Sequence, residues 1–189
     1  MCKGSKVCPG DSLGSHRDTI EMSQPMGISI TVRRATQDDA ASVSTCLAAA
    51  FAPYRSQYTP GAFEDTVLSP EAARSRMMRM TVYVAITPEG EVVGTVASTL
   101  HGERGHLRGM AVLPAWQGHL VAELLLRAAE ADLAAAGCAR LTLNTTIPLR
   151  RAIRFYERNG FVATGTVTDF FGMPLHEFAK TLEFAKPIS

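Results

Sequence analysis

Apolar and polar residues alternate with a period of two in "ISITVRRA" from Ile28, which predicts a half-buried strand. The spacing then turns helical in "TQDDAASVSTCLAAAF", where Thr36 can cap and Asp38 and Asp39 fall in the first turn, favoured by the helix dipole. "APYRSQYTPGAFEDTVL" mixes aromatics with Pro and Gly without a period and predicts a loop or broken helix. In "SPEAARSRMMRM", Ser69 stands at an N-cap and Pro70 at the first helical position. "TVYVAI" and "EVVGTVASTL" flank "TPEG" as an antiparallel hairpin about Pro88 and Gly90. "GHLRGMAVLP" predicts a strand ending at Pro114, followed by a helix in "AWQGHLVAELLL" that runs to a glycine cap near Gly137. Then come a strand, "RLTLNT", and a helix, "PLRRAIRFYERNGF", opened by Pro148 and closed by Asn159 and Gly160. Two last strands, "VATGTVTDFF" and "HEFAKTLEF", flank the turn "GMP". This order predicts a mixed α/β (α+β) domain with a largely antiparallel central sheet flanked by helices, not a doubly wound parallel one.

The pattern fails in the first 27 residues, which are rich in Gly, Ser and charge. They are expected to form a flexible N-terminal extension (1–27) ahead of a single domain at 28–185, and Met22 or Met26 is an equally good start. The extension lacks the apolar centre of a signal peptide, and no later segment has the ~18 uninterrupted apolar residues of a membrane span. Formal net charge is +1 without a basic stripe, so neither nucleic acid nor an anionic membrane is expected as partner. A small molecule or a protein partner is left open. Cys2, Cys8, Cys46 and Cys138 have neither metal-ligand spacing nor the density of a disulfide framework. The expectation is a cytoplasmic protein with reduced thiols and no metal. Cys46, in an apolar helix, and Cys138, after a capping glycine, read as structural.

Two places carry chemistry. In "AWQGHLVAELLL", Gly118 permits close backbone approach, and the N–H groups from about Gly118 to Ala122 lie where unpaired donors and the helix dipole favour an anion. Leu120, Val121, Leu124, Leu125 and Ala128 fall at helical spacing, so an ordinary packed helix explains the same residues. In "AIRFYERNGF", Ala152, Ile153 and Tyr156 share a face, and Tyr156 is either a core aromatic or a proton donor.

Taken together, "HLRGMAVLP", "WQGHLVAELL", "RLTLNT" and "AIRFYERNGF" resemble, in order and spacing, the GNAT superfamily of acyl-CoA-dependent N-acyltransferases, over about Ile28 to Phe184. The resemblance implies a GNAT-like N-acetyltransferase domain that uses acetyl-CoA as co-substrate. It maps the strand whose backbone pairs with the pantetheine arm and polarises the thioester onto Met110, Ala111 and Val112. It maps the pyrophosphate loop onto Gln117, Gly118, His119, Leu120, Val121 and Ala122. Gln117 and Ala122 fit the family pattern, whereas Leu120 stands where the middle glycine is usual. A leucine with ordinary helical angles there would keep the donors and reduce the space beside them. Leu149 replaces an Asn common in the family, and Asn144 offers an alternative cofactor contact.

By the same resemblance Tyr156 protonates the leaving thiolate, and His106 takes the position of the Glu that often serves as general base. Glu103 and Asp169 are back-ups. The implied reaction is direct transfer of acetyl to a primary amine of a small molecule or peptide, with the Met110 backbone at the oxyanion. Tyr54, Tyr58, Phe63, Phe170 and Phe171 are expected to line the acceptor site, with Glu64, Asp65 and Asp169 attracting a cation. Transfer of a longer acyl group and a CoA- or partner-binding module with little catalytic activity stay as alternatives. A homodimer through the sheet edge near the last strands is a further expectation.

Overall fold

The computed structural model describes residues 20–23 and 29–182, in which the period-two segments form one eight-stranded sheet. In chain order the elements are β1 (Ile20–Ser23), β2 (Ser29–Arg34), α1 (Ala40–Phe51), α2 (Pro60–Thr66), α3 (Pro70–Met77), β3 (Thr81–Ile86), β4 (Val92–His101), β5 (Arg104–Val112), α4 (Val121–Ala135), β6 (Arg140–Thr146), α5 (Arg150–Arg158), β7 (Val162–Phe170) and β8 (Met173–Thr181). The strands lie in the order β1-β2-β3-β4-β5-β6-β8-β7. Every neighbouring pair is antiparallel except β5–β6. The predicted mixed, largely antiparallel fold is therefore the one observed.

Helices cover both faces. On one, α4 and α5 pack Leu125, Leu126 and Phe155 against Ile30, Val93, Leu107, Leu141 and Leu143. On the other, α1 and α3 pack Val43, Leu47 and Ala73 against Val82, Val84 and Ala97. Strand alternation sends successive side chains to these two cores, which explains why the central strands are apolar on both sides. Among the described residues no helix is long and apolar enough to cross a membrane.

Three local expectations change. Ile20–Ser23, inside the expected extension, pairs with Ser29–Val32 as β1, while the rest of 1–27 lies outside the described residues. The aperiodic segment after α1 resolves into a 3-10 turn, Ala52–Gln57, and α2, whose start is capped by Thr59. The last hairpin turns at Phe171 and Gly172 rather than at "GMP", because both residues take positive φ (51° and 82°), the requirement of a two-residue turn that follows strand twist.

Gly94 sets how closely α4 approaches β4. A Cβ there would lie 2.8 Å from Val121 Cγ1 and 2.9 Å from Leu125 Cδ1, both on fully buried side chains. Gly94→Ala is expected to lower stability by about 1–3 kcal/mol through overpacking, read as a lower urea midpoint. An unchanged midpoint would mean that α4 shifts without resistance.

Candidate functional site

The site begins where two strands part. β5 and β6 pair in parallel only from Arg104–Leu107 opposite Arg140–Leu143; beyond this β6 continues with β8 and β5 with β4. The edge of Arg108–Val112 that faces away from β4 therefore has no strand partner. Within this stretch Gly109 and Met110 together oppose the single residue Val96, a β-bulge with Gly109 in the left-handed region (φ 64°). A Cβ on Gly109 would lie 2.7 Å from Arg76 Nη1, so the glycine serves both the bulge and the close approach of that guanidinium.

The chain leaving β5 makes a short turn, Pro114–Trp116, before α4. Gly118 and Leu120 both take positive φ, 89° and 60°, and Leu120 is the N-cap of α4, which starts at Val121. The expected helical leucine is thus corrected: Leu120 adopts the left-handed conformation that a glycine would favour, at an ordinary cost of about 1–2 kcal/mol. Its side chain is 49% exposed. The first backbone bond into the helix runs from Leu124 N–H to the Leu120 carbonyl (3.0 Å), so the preceding N–H groups of the first turn have no intrahelical acceptor.

Gln117 braces this loop. Its Nε2 donates to the Val112 carbonyl (3.2 Å), and its Oε1 accepts from Arg151 Nη1 (2.9 Å) at the start of α5. Arg151 Nη2 also lies 3.8 Å from where a Gly118 Cβ would be. Loop, unpaired β5 edge and α5 enclose a cavity of about 200 Å³ that includes Met110, Gln117, Gly118, Ala122, Arg151 and Tyr156 in its wall.

A second cavity, of about 290 Å³, opens between the splayed strands and the α1–α2 segment. His106 reaches it from β5, and its Nδ1 lies 2.9 Å from Thr142 Oγ1. Thr142 gives its own hydroxyl proton to the Gly105 carbonyl (3.0 Å), so its oxygen accepts from His106 Nδ1–H and Nε2 keeps its lone pair. Burial, and then the Arg108 charge, hold the His106 pKa below the ordinary value, with Glu177 opposing them. The imidazole is neutral near pH 7.

Five residues wall both cavities: Phe51, Met110, Leu149, Ala152 and Tyr156. Tyr156 is 8% exposed, and its ring meets Phe155 and Phe161 edge-on at centroid distances of 5.4 and 5.7 Å. Core packing thus fixes the ring that stands at the junction. Burial pushes its phenol pKa up, so the hydroxyl keeps its proton.

Comparison with known proteins places this geometry. Residues 47–161 match the model of the acetyltransferase (GNAT) family. The chain belongs to that family. Solved structures share the fold at low identity. A GNAT-family acetyltransferase of Staphylococcus aureus superposes with a TM-score of 0.67 at 15% identity, covering 82% of this chain and 99% of that one. The ribosomal-protein-S18-alanine N-acetyltransferase of Escherichia coli gives 0.67 at 18% identity, covering 85% and 98%. The PaiA N-acetyltransferase of Thermoplasma acidophilum, solved in complex with coenzyme A, gives 0.67 at 17%, covering 80% and 98%.

In this GNAT chain, Met110, Ala111, Val112, Gln117, Gly118, Val121 and Ala122 all wall the smaller cavity, whereas His119 and Leu120 lie in the loop beside it. Asn144, mid-strand and opposite Glu177, lines the larger cavity and not the smaller one. Tyr58 and Phe170 line the larger cavity; Tyr54 lines the smaller, and neither Phe63 nor Phe171 walls either. Glu103 and Glu64 are also outside both walls, and Asp169 accepts from the Gly172 N–H of its own turn (3.2 Å). Asp65 does line the larger cavity but is paired with Arg108. Cys46 and Cys138 are buried, and burial pushes the Cys46 thiol up to about 12, which makes it inert. Cys2 and Cys8 lie outside the described residues.

Sequence reasoning passed over Arg151, Arg76 and Arg108. A signal for the first existed: α5 opens with Arg150 and Arg151 and has no acidic residue in its first turn, an arrangement its dipole disfavours unless an anion comes near.

If Leu120 is held at positive φ, then Leu120→Gly should be more stable than Leu120→Ala by about 1 kcal/mol, because alanine keeps the strain and loses the side chain. Urea unfolding of the two variants decides it, and the reverse order would place Leu120 in the helical region.

Proposed function

We propose that the chain is an acetyl-CoA-dependent N-acetyltransferase that moves an acetyl group directly to a primary amine. One observation carries this reading: two cavities of different chemistry, one beside loop N–H donors and the other holding a neutral histidine, share Met110 and Tyr156 as common wall. Two substrates can enter separately and meet at that wall. Holding them in register is worth up to about 7–11 kcal/mol of barrier.

The smaller cavity suits acetyl-CoA. The first-turn N–H groups of α4 and the Arg151 guanidinium offer donors to a pyrophosphate, and the unpaired β5 edge offers main-chain partners to an amide-bearing arm. The left-handed Leu120 supports the fit, since the backbone takes the glycine-like path in spite of its side chain. In the larger cavity His106 Nε2 accepts the proton of an ammonium acceptor, directly or through water. The Met110 backbone, displaced by the bulge, attends the thioester carbonyl, and the Tyr156 hydroxyl donates to the departing thiolate. Neither of the described cysteines, Cys46 and Cys138, takes part.

Calorimetry is expected to show acetyl-CoA binding, and no heat at millimolar cofactor would end this reading. Tyr156→Phe should cut kcat by roughly 10²-fold and leave acetyl-CoA affinity nearly unchanged; undiminished turnover would remove the tyrosine from the acid role. The pH profile tests His106. Since its pKa is lowered, activity should hold through neutrality and fall only below the ordinary histidine value of about 6.5, where the ring gains its proton. His106→Ala should be slower and lack that acid limb. A variant that keeps the limb eliminates His106 as base.

A further inference from the structure

The charges in the larger cavity do not match the cation-attracting wall that the sequence suggests. Its wall holds two guanidiniums, Arg76 and Arg108, and one carboxylate, Asp65. Arg108 is committed to Asp65 as an ion pair. Arg76, from α3, donates to the Asp65 backbone carbonyl (3.4 Å) and makes no carboxylate ion pair among the described residues. It is half-buried and pressed against Gly109, one residue from Met110. Burial first, then the Arg108 charge, pull its pKa down to about 10, with the Asp65 charge opposing them. A neutral His106 adds nothing to this balance, and Glu177, whose charge acts on His106, is not in the wall and accepts from Thr164, so the wall itself carries one surplus positive charge.

Asp65, already paired with Arg108, offsets only part of the desolvation cost of the Arg76 guanidinium, and a ligand's negative charge would offset the rest. From these positions, and resting on the acetyltransferase reading above, we infer that the acceptor is a small amine that carries its own carboxylate, bound by Arg76 beside the Asp65–Arg108 pair. One surplus charge matches a carboxylate monoanion better than a phosphate dianion. The remainder of the wall, with Phe51, Tyr58, Leu149, Phe170 and Leu175, is apolar and suits a hydrophobic side chain on the carbon that bears both charged groups. The guanidinium takes no part in the chemistry. It orients the molecule so that its amine faces His106 and the bulge, and it opposes the binding of polyamines and other purely cationic acceptors through like charge.

The test is acetyl-CoA consumption with L-phenylalanine, L-leucine and L-methionine, each beside its carboxamide, with phenethylamine as the acceptor lacking any carboxylate. The acids should exceed their amides in kcat/KM by about tenfold or more, the usual effect of a charge-assisted hydrogen bond. In Arg76→Gln that ratio should collapse toward one through the KM of the acid, with the KM for acetyl-CoA unchanged. Arg76→Lys, which keeps the charge and loses the planar fork, should fall between and guards against a packing defect in the glutamine variant. Amides or phenethylamine turned over as well as the acids overturn the carboxylate inference and leave the acetyltransferase reading intact, as does a ratio that survives in Arg76→Gln. A protein that binds acetyl-CoA but acetylates none of the three acids overturns it as well. Absence of acetyl-CoA binding fails the underlying reading, and this inference with it.

Discussion

Parallel hydrogen bonding between β5 and β6 ends at Leu107 and Leu143, just before the bulge at Gly109 and Met110 turns the backbone of β5. A buried sheet ordinarily cannot leave a row of main-chain groups without partners, since each costs the desolvation of an N–H or C=O. Here the unpaired row lies in a cleft between a helix start and the walls of two cavities. The same divergence makes room for α5 to bring Tyr156 to the Met110 side, while β6 stays paired with β8 along its other edge for its whole length. Had the two strands continued side by side to Val112, there would be a sounder sheet and no junction.

Backbone strain falls in one loop beside that junction and in one turn outside both cavity walls. Among the described residues, the non-glycine residues at positive φ are Leu120 and Phe171, one in the loop before α4 and the other in the β7–β8 turn. Each is retained by neighbours. Leu120 sits between the Gln117 brace and the first helical bond, whereas Phe171 has its carbonyl held by Thr59 Oγ1 (2.8 Å) and its ring against Gly61. Backbone forced out of its preferred regions persists where its surroundings over-determine it, and such positions gather at sites that act on ligands.

What could be read from residues alone followed the range of the forces involved. Period-two and helical spacing placed every long element, and the caps at Ser69, Gly137 and Asn159–Gly160 appear where their residue types suggest. These depend on neighbours along the chain. Leu120 was misjudged because propensity favours the helical region for leucine, while the loop geometry is imposed by Gln117 reaching both Val112 and Arg151. The charge of the larger cavity was misjudged for a similar reason. Asp65 stands among aromatics in sequence and looks available, yet Arg108, on a strand 43 residues later, occupies it. Which acid meets which base is decided by topology, and a linear pattern carries little of that information.

The α1–α2 side of the larger cavity is joined to the sheet in an unusual manner for a core wall. Tyr58 hydroxyl meets Thr146 Oγ1 (2.7 Å), Thr59 meets the Phe171 carbonyl and Asp65 meets Arg108, so polar contacts supplement the apolar packing of Phe51 and Leu68. The scaffold behind it, by contrast, is two apolar cores locked through the central strands. Segments held partly by exposed polar contacts open locally at lower free energy than strands buried on both faces. Leu107, Leu143 and Tyr156 serve cavity and core at once, whereas Asp65 and Thr66 on the short arm belong to the cavity wall and to neither core, so the arm is where the cavity's shape and charge can change with least cost to the fold.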